Sequence, residues 1–167
     1  MPDVFTKAKR SEVMSRIRSR GNKDTELALA KLFRRNKITG WRRHVQITGR
    51  AALLRGPNVR AARQHRPTFR VRPDFVFPKL KLAVFVDGCF WHGCPKHGTQ
   101  PKGNRAFWKN KLASNKARDI LVTRALRRAN WRVLRVWEHT LRWATMKPQK
   151  ELSLIRRIQR FLIRGNS

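Results

Sequence analysis

Residues 86 to 98, VDGCFWHGCPKHG, bring an acid, two cysteines, two histidines and two large aromatics into one short stretch, and the chain's only two cysteines are both there. Cys89-x4-Cys94-x2-His97 offers three ligands of the kind zinc takes. Zinc completes a tetrahedron with a fourth. His139, after the apolar run WRVLRVW, supplies it if that run lies beside LAVFV. His92, inside the loop, is the competitor. If His139 is the fourth ligand, His92 is free to do chemistry. The plainer alternative is two reduced cysteines and two loop histidines. Phe90 and Trp91, between the first cysteine and His92, are either core anchors or wedges that enter a base step and unstack it. Trp108 carries the same ambiguity. Trp131 and Trp137 have the spacing of one strand face and read as core.

The acids are few, 9 against 41 Lys plus Arg, and so informative. Asp74 opens FVF and Asp87 ends LAVFV. If PKLK is the turn and Phe77 faces Leu82, Asp74 lies opposite Phe85. Asp87 then follows two residues further along the same face. The two carboxylates become diagonal neighbours within reach of one divalent ion or a pair. A slip of one residue would put them on opposite faces. Carboxylates clustered at strand ends in a basic protein suit a Mg²⁺ nuclease centre. The alternative is that each caps a turn or pairs with an arginine. Glu26 is a third acid of interest, with an ordinary first-turn acid at a helix dipole as its alternative.

These residues need elements to hold them. Residues 6–20 read as a basic helix or arm, broken by GNK. Asp24 is placed to cap a helix through TELALAKLFRRN. ITGWRRHVQI reads as a turn and a short strand. Residues 49–70 have no acid and no period, and read as a loop or insertion. RPDFVF and LAVFV are strands about the PKLK turn. Asn104 is placed to cap a long helix over 105–129, with Phe107, Trp108, Leu112, Ile120, Leu121 and Leu126 on its apolar side. Residues 131–137 form a third strand ending in Glu138-His139, and ELSLIRRIQRFLI is a basic amphipathic helix. The expected class is α/β, a mixed central sheet flanked by helices. The expected division is an arm at 1–22, a core at 23–145 with a basic insertion at 49–71, and a C-terminal helix at 146–167.

Composition sets the partner. A net charge of +32 on 167 residues that are 40% hydrophobic describes a globular chain that seeks a polyanion, and nucleic acid is the obvious one. No long apolar run or single amphipathic anchor favours a membrane. Residues 1–20 lack an apolar h-region, which leads to the expectation of a cytoplasmic protein. Two cysteines do not make a disulfide framework.

The order RPDFVF, LAVFVDGCFWHGCPKHG, FWKNKLASNKARD and WRVLRVWEH resembles the very short patch repair endonucleases of bacteria. KRSEVMSRI and DTELALAKLF precede it. The resemblance covers about residues 3–143, and the insertion and tail fall outside it. It implies a restriction-endonuclease-like fold with a structural Zn²⁺ site. It implies a Mg²⁺-dependent nick 5′ of the thymine in T·G mismatches that arise when 5-methylcytosine deaminates. By that likeness Asp74 is the metal-binding catalytic acid and the Val86 carbonyl a second Mg²⁺ ligand. His92 is the general base and Glu26 a supporting acid. Cys89, Cys94, His97 and His139 are the zinc set. Phe90, Trp91 and Trp108 are the aromatics inserted into DNA, and Met14 sits on an N-terminal helix embracing the duplex. The partners so implied are double-stranded DNA with a T·G mismatch, repair proteins of the MutL type and a cytosine methyltransferase system. A monomer associated with the bacterial nucleoid is expected. Asp87 stands where some members carry histidine, and its expected role is a metal ligand or phosphate-site residue. The zinc set is Cys-Cys-His-His where some members have more cysteine. Two other readings compete: another DNA nickase of the same fold, and a non-catalytic zinc-stabilised nucleic-acid binder, which would not need Asp74, Asp87 and His92 together.

Overall fold

A computed structural model describes residues 23–50, 68–99, 101 and 103–163. The expected arm at 1–22, Met14 with it, and most of the insertion lie outside those residues. Four strands form the central sheet in the order β1 (Arg42–Arg43), β4 (Phe75–Phe77), β5 (Leu82–Asp87), β6 (Arg132–Trp137). β1 and β5 run antiparallel to β4, and β6 runs parallel to β5, so the sheet is mixed as expected. β2 (Ile47–Arg50) and β3 (Thr68–Val71) make a separate antiparallel pair. The ends of the stretch read as loop from 49 to 70 are therefore strands. Their pairing was hidden because the partners are separated by the long basic segment.

The β4–β5 hairpin has the expected register, with Phe77 opposite Leu82 and Phe75 opposite Val84. Its turn is a 3₁₀ step at Pro78–Leu80 closed by Lys81 in the left-handed region. Pro78 fixes the first φ of that turn and removes an N–H that would otherwise need a partner. The parallel return to β6 needs a long crossover, supplied by the knuckle and helix α2 (Arg105–Arg128).

Period-two alternation sorts the strand residues into two cores. Phe75, Phe77, Leu82, Val84, Leu134 and Val136 face one side. There they meet Leu29, Leu32 and Phe33 of helix α1 (Ala28–Arg35), which follows a π-helical turn at Lys23–Leu27. Leu141 of α3 (Glu138–Met146) and Leu154, Ile155 and Ile158 of α4 (Pro148–Ile163) close that core. Val76, Ala83 and Val133 face the other side, against Ile47, Val71 and Leu126. The alternation assigns Asp74, Phe85, Asp87 and Arg135 to this second side, under α2.

Four local expectations are corrected. The π-helical turn at Lys23–Leu27 already contains Asp24, which therefore lies within it and not before it. Asn104 has φ 52° and makes no side-chain cap; it accepts the Trp108 N–H through its carbonyl at 3.2 Å. Phe107, Ile120 and Leu121 are exposed, because α2 touches the body of the protein mainly through Trp108, Leu112, Asn115 and Leu126. Glu138 and His139 start a helix and do not end the strand. Trp131 and Trp137 are half-buried.

Candidate active site

Asp74 stands just before β4, opposite the end of β5. The Val86 N–H donates to its Oδ2 at 2.7 Å. The expectation paired Asp74 with Asp87. The hairpin keeps the register behind that pairing, and the charge of Asp87 reaches Asp74; the ligand atoms grouped with Asp74 are those of Glu26 and His44, one from each of the three within 4.8 Å of the others. Glu26 comes from the π-helical turn and is 5% exposed. It accepts from Arg43 Nη2 at 2.7 Å and lies 3.0 Å from His44 Nε2. His44 has φ 52°, and its N–H reaches the Asp74 carbonyl at 3.3 Å, one step beyond the β1–β4 ladder. That left-handed step is uncommon for a side-chain-bearing residue, histidine being among the more tolerant. His44 was not found by sequence reasoning, because nothing in WRRHVQI marks it apart from its neighbours.

Burial pushes the Asp74 carboxyl up to about 6. The charges of Glu26 and Asp87 push the same way, while the Val86 N–H and His92 oppose it. Two carboxylates are the hard oxygen donors that Mg²⁺ takes, and the imidazole of His44 suits borderline dications as well. The donor set fits a divalent cation.

Asp87 is 4% exposed, and both its oxygens are engaged, each 2.6 Å from a nitrogen of Arg135. His92 lies 3.8 Å from Asp87 Oδ1 through its Nδ1. The stronger partner of that nitrogen is Asp119 Oδ2 of α2, at 2.6 Å. A carboxylate accepts, so Nδ1 is the donor of this bond, and in the neutral imidazole Nε2 is then the free acceptor. Asp119 and Arg135, like His44, were not anticipated. A helix face had no visible reason to send an acid to residue 92.

The knuckle places Cys89, Cys94, His97 and His139 within 4.8 Å of one another, one ligand atom each. Cys89 Sγ lies 3.2 Å and Cys94 Sγ 3.6 Å from His139 Nδ1, and Cys94 Sγ lies 3.9 Å from His97 Nδ1. Ligands at zinc bond lengths around a tetrahedron stand about 3.3–3.8 Å apart. The four fit that ion, and His92, held by Asp119, is not among them. Burial raises the Cys89 thiol, the backbone N–H of His139 lowers it and Cys94 raises it again; burial, then His97 and Lys96, lower His139. A dication here would reverse the first preference, since coordinating thiols deprotonate. The Cys89 N–H is satisfied by Glu138 Oε2 at 3.0 Å, and Trp143 covers His139 with centroids 4.9 Å apart.

Phe90, Trp91 and Trp108 form one cluster, with centroid distances of 5.0, 5.2 and 6.0 Å. Trp108 is buried and the other two are half-buried. Asn115 of α2 donates to the Trp91 carbonyl at 3.0 Å and ties the helix to the knuckle. No described helix is long and apolar enough to cross a membrane.

A buried acid cluster with a carboxylate-held histidine beside it, on a strongly basic α/β scaffold, is an arrangement suited to a nuclease. Residues 51–97 match the family described as DNA mismatch endonuclease Vsr. A "Type II nicking enzyme V.NmeAIP" of Neisseria meningitidis serogroup A is 32% identical over 161 residues, 95% of this chain and 98% of the relative. The "DNA mismatch endonuclease Vsr" of Escherichia coli is 32% identical over 143 residues, 85% of this chain and 77% of the relative. A "Type II nicking enzyme V.NaeI" of Lentzea aerocolonigenes is 57% identical over 70 residues, and that alignment spans 42% of each chain. The chain belongs to the Vsr family, and it is a DNA endonuclease.

Proposed function

We propose that the chain nicks one strand of duplex DNA 5′ of the thymine in a T·G mismatch, using Mg²⁺ at the Asp74 cluster. The observation that carries the reading is the meeting of three groups at the end of β5: the Glu26–His44–Asp74 set, His92 backed by Asp119, and the Phe90–Trp91–Trp108 cluster. Asp74 and the Val86 carbonyl would hold the ion, with Glu26 and His44 alongside. Bound there, Mg²⁺ supplies charge stabilisation for the phosphoryl group and the leaving oxygen. Asp87, expected as a further ligand, stands outside this set. His92 Nε2 takes a proton from water, the water oxygen bonds to phosphorus, and the bond to the 3′ oxygen breaks. A wobble pair costs less to distort than a matched pair, so the aromatics that follow Cys89 can select it. Zn²⁺ held by Cys89, Cys94, His97 and His139 would fix the loop that aims them.

The test is nicking of an end-labelled duplex carrying one T·G mismatch, with Mg²⁺, beside the matched duplex. A nick 5′ of the mismatched thymine alone supports the reading. Equal cutting of both would move the enzyme to the second reading, a site-specific nickase, which the relatives named as nicking enzymes favour. In the same assay Trp91→Ala should lower the preference for T·G over matched DNA by about 5- to 100-fold. That is the range set by roughly 1–2.7 kcal/mol, within the span for one base–aromatic stack. An unchanged ratio would remove Trp91 from mismatch selection.

A further inference from the structure

Asp87 of β5 and Asp119 of α2 meet on one guanidinium. Arg135 lies beside Phe85 in the parallel β5–β6 register and carries its charge over that ring, 5.1 Å from the centroid. Its Nε and Nη2 donate to Asp87 Oδ2 and Oδ1, each at 2.6 Å, in a two-pronged pair. The same Nη2 lies 3.0 Å from Asp119 Oδ1, and the other oxygen of Asp119 takes His92 Nδ1 at 2.6 Å. Burial alone would lower the Arg135 pKa; the bonds and charge of Asp87, then Asp119, outweigh it and raise it. The guanidinium is thus a fixed charge in a chain that runs Asp87, Arg135, Asp119, His92.

That order gives each member one task. Asp119 rises from a stretch of α2 whose neighbours Arg118 and Ile120 are exposed, so helix packing does little to aim its carboxylate. Two contacts fix it, His92 on one oxygen and Arg135 on the other. Asp87 would have to release a charge-assisted, two-pronged partner before it could bind an ion. We propose that Arg135 is a positioning residue for strand cleavage: it fixes Asp119, which orients His92, and Asp87 holds Arg135 instead of binding metal. The proposal rests on the reading of His92 as the water-activating group.

The experiment uses the full chain, a T·G duplex and Mg²⁺ under single-turnover conditions. The variants are Arg135→Met, Asp87→Asn, the double variant, and His92→Gln as control. Arg135→Met should cut the rate by about 10- to 100-fold, part of the 10²–10⁴ that a positioned base contributes. DNA affinity should stay within about twofold of wild type. In nitrogen-15 NMR the His92 Nδ1–H resonance should move upfield, a change that a merely structural role would not cause. Asp87→Asn should lose less and keep the wild-type Mg²⁺ dependence. The double variant should be no slower than Arg135→Met, because Asp87 acts through Arg135 and its carboxylate is no longer orphaned. If Arg135→Met does not fold, the charge-balanced double variant carries the same rate comparison. Losses that multiply, or a raised Mg²⁺ requirement in Asp87→Asn, would overturn the proposal and make Asp87 a ligand. A wild-type rate without Arg135 would overturn it too. A wild-type rate in His92→Gln would instead fail the reading of His92, a distinct result.

Discussion

Asp74→Asn should abolish nicking, leave DNA binding intact and stabilise the Mg²⁺-free protein at neutral pH. The first part follows from the place of Asp74, which faces the cluster and accepts the Val86 N–H. The second follows from charge, because removing one of nine acids from a chain of net charge +32 does not weaken attraction to phosphate. The third follows from burial. The carboxyl titrates at about 6 in the fold against 3.8 in the open chain. Between those values the folded state binds the proton more tightly. The stability from that proton is therefore complete below about pH 3.8 and is lost as pH rises through about 6. A shift of this size corresponds to about 3 kcal/mol. Asparagine keeps an oxygen for the Val86 N–H and carries no charge. Thermal melts in Mg²⁺-free buffer from pH 4.5 to 8 should show wild type losing stability across that window while the variant stays flatter. Parallel curves would mean that the carboxylate is not a buried charge, and residual nicking would move the catalytic acid elsewhere.

What was readable in the chain, and what was not, divides by the range of the contact. The Phe77–Leu82 register was readable because a proline turn and an alternating pattern sit within a few residues of each other. The convergence of Cys89, Cys94, His97 and His139 was readable because three share one loop and a parallel β6 returns the fourth. Glu26 was singled out, although its meeting with His44 was not foreseen. His44, Asp119 and Arg135 were missed for one reason. Each gains its meaning from a partner on another element, and a lone histidine or arginine in a basic chain has no local mark. The fate of Asp87 shows the cost. Its face on the strand was inferred correctly from the hairpin, yet the neighbour that claims it, Arg135, comes from the next strand and not from β4. The outer face of α2 failed similarly. Phe107, Ile120 and Leu121 look like core by type, but the helix meets the body along a narrower line.

Loss of the knuckle metal should be more damaging than loss of any one catalytic group. Residues 88–98 lie in no strand, and the turn is held by a few backbone bonds: Cys94 N–H to the Cys89 carbonyl at 2.9 Å, Gly98 N–H to the Cys94 carbonyl at 2.8 Å. The bend is tight enough that a Cβ on Gly98 would stand 2.5 Å from the Cys94 carbonyl oxygen. A Zn²⁺ at the four ligands would cross-link this loop to the first turn of α3 through His139. Structural zinc in small domains contributes about 10–16 kcal/mol, as much as the whole stability of many domains. Cys89→Ala should therefore bind less than one zinc per chain, melt at a markedly lower temperature and lose nicking together with T·G preference, since Phe90, Trp91 and His92 ride on the same loop. Metal analysis, a thermal melt and the nicking assay on one preparation check this, and a Cys89→Ala protein that stays folded and active would sink the zinc assignment. The choice of fourth ligand is decided by a second pair. His139→Ala should lose the zinc, whereas His92→Gln, whose Nδ1 belongs to Asp119, should keep a full complement of zinc while losing cleavage. The reverse pattern would make His92 the ligand and free His139, and the water-activating group would then have to be sought outside the knuckle.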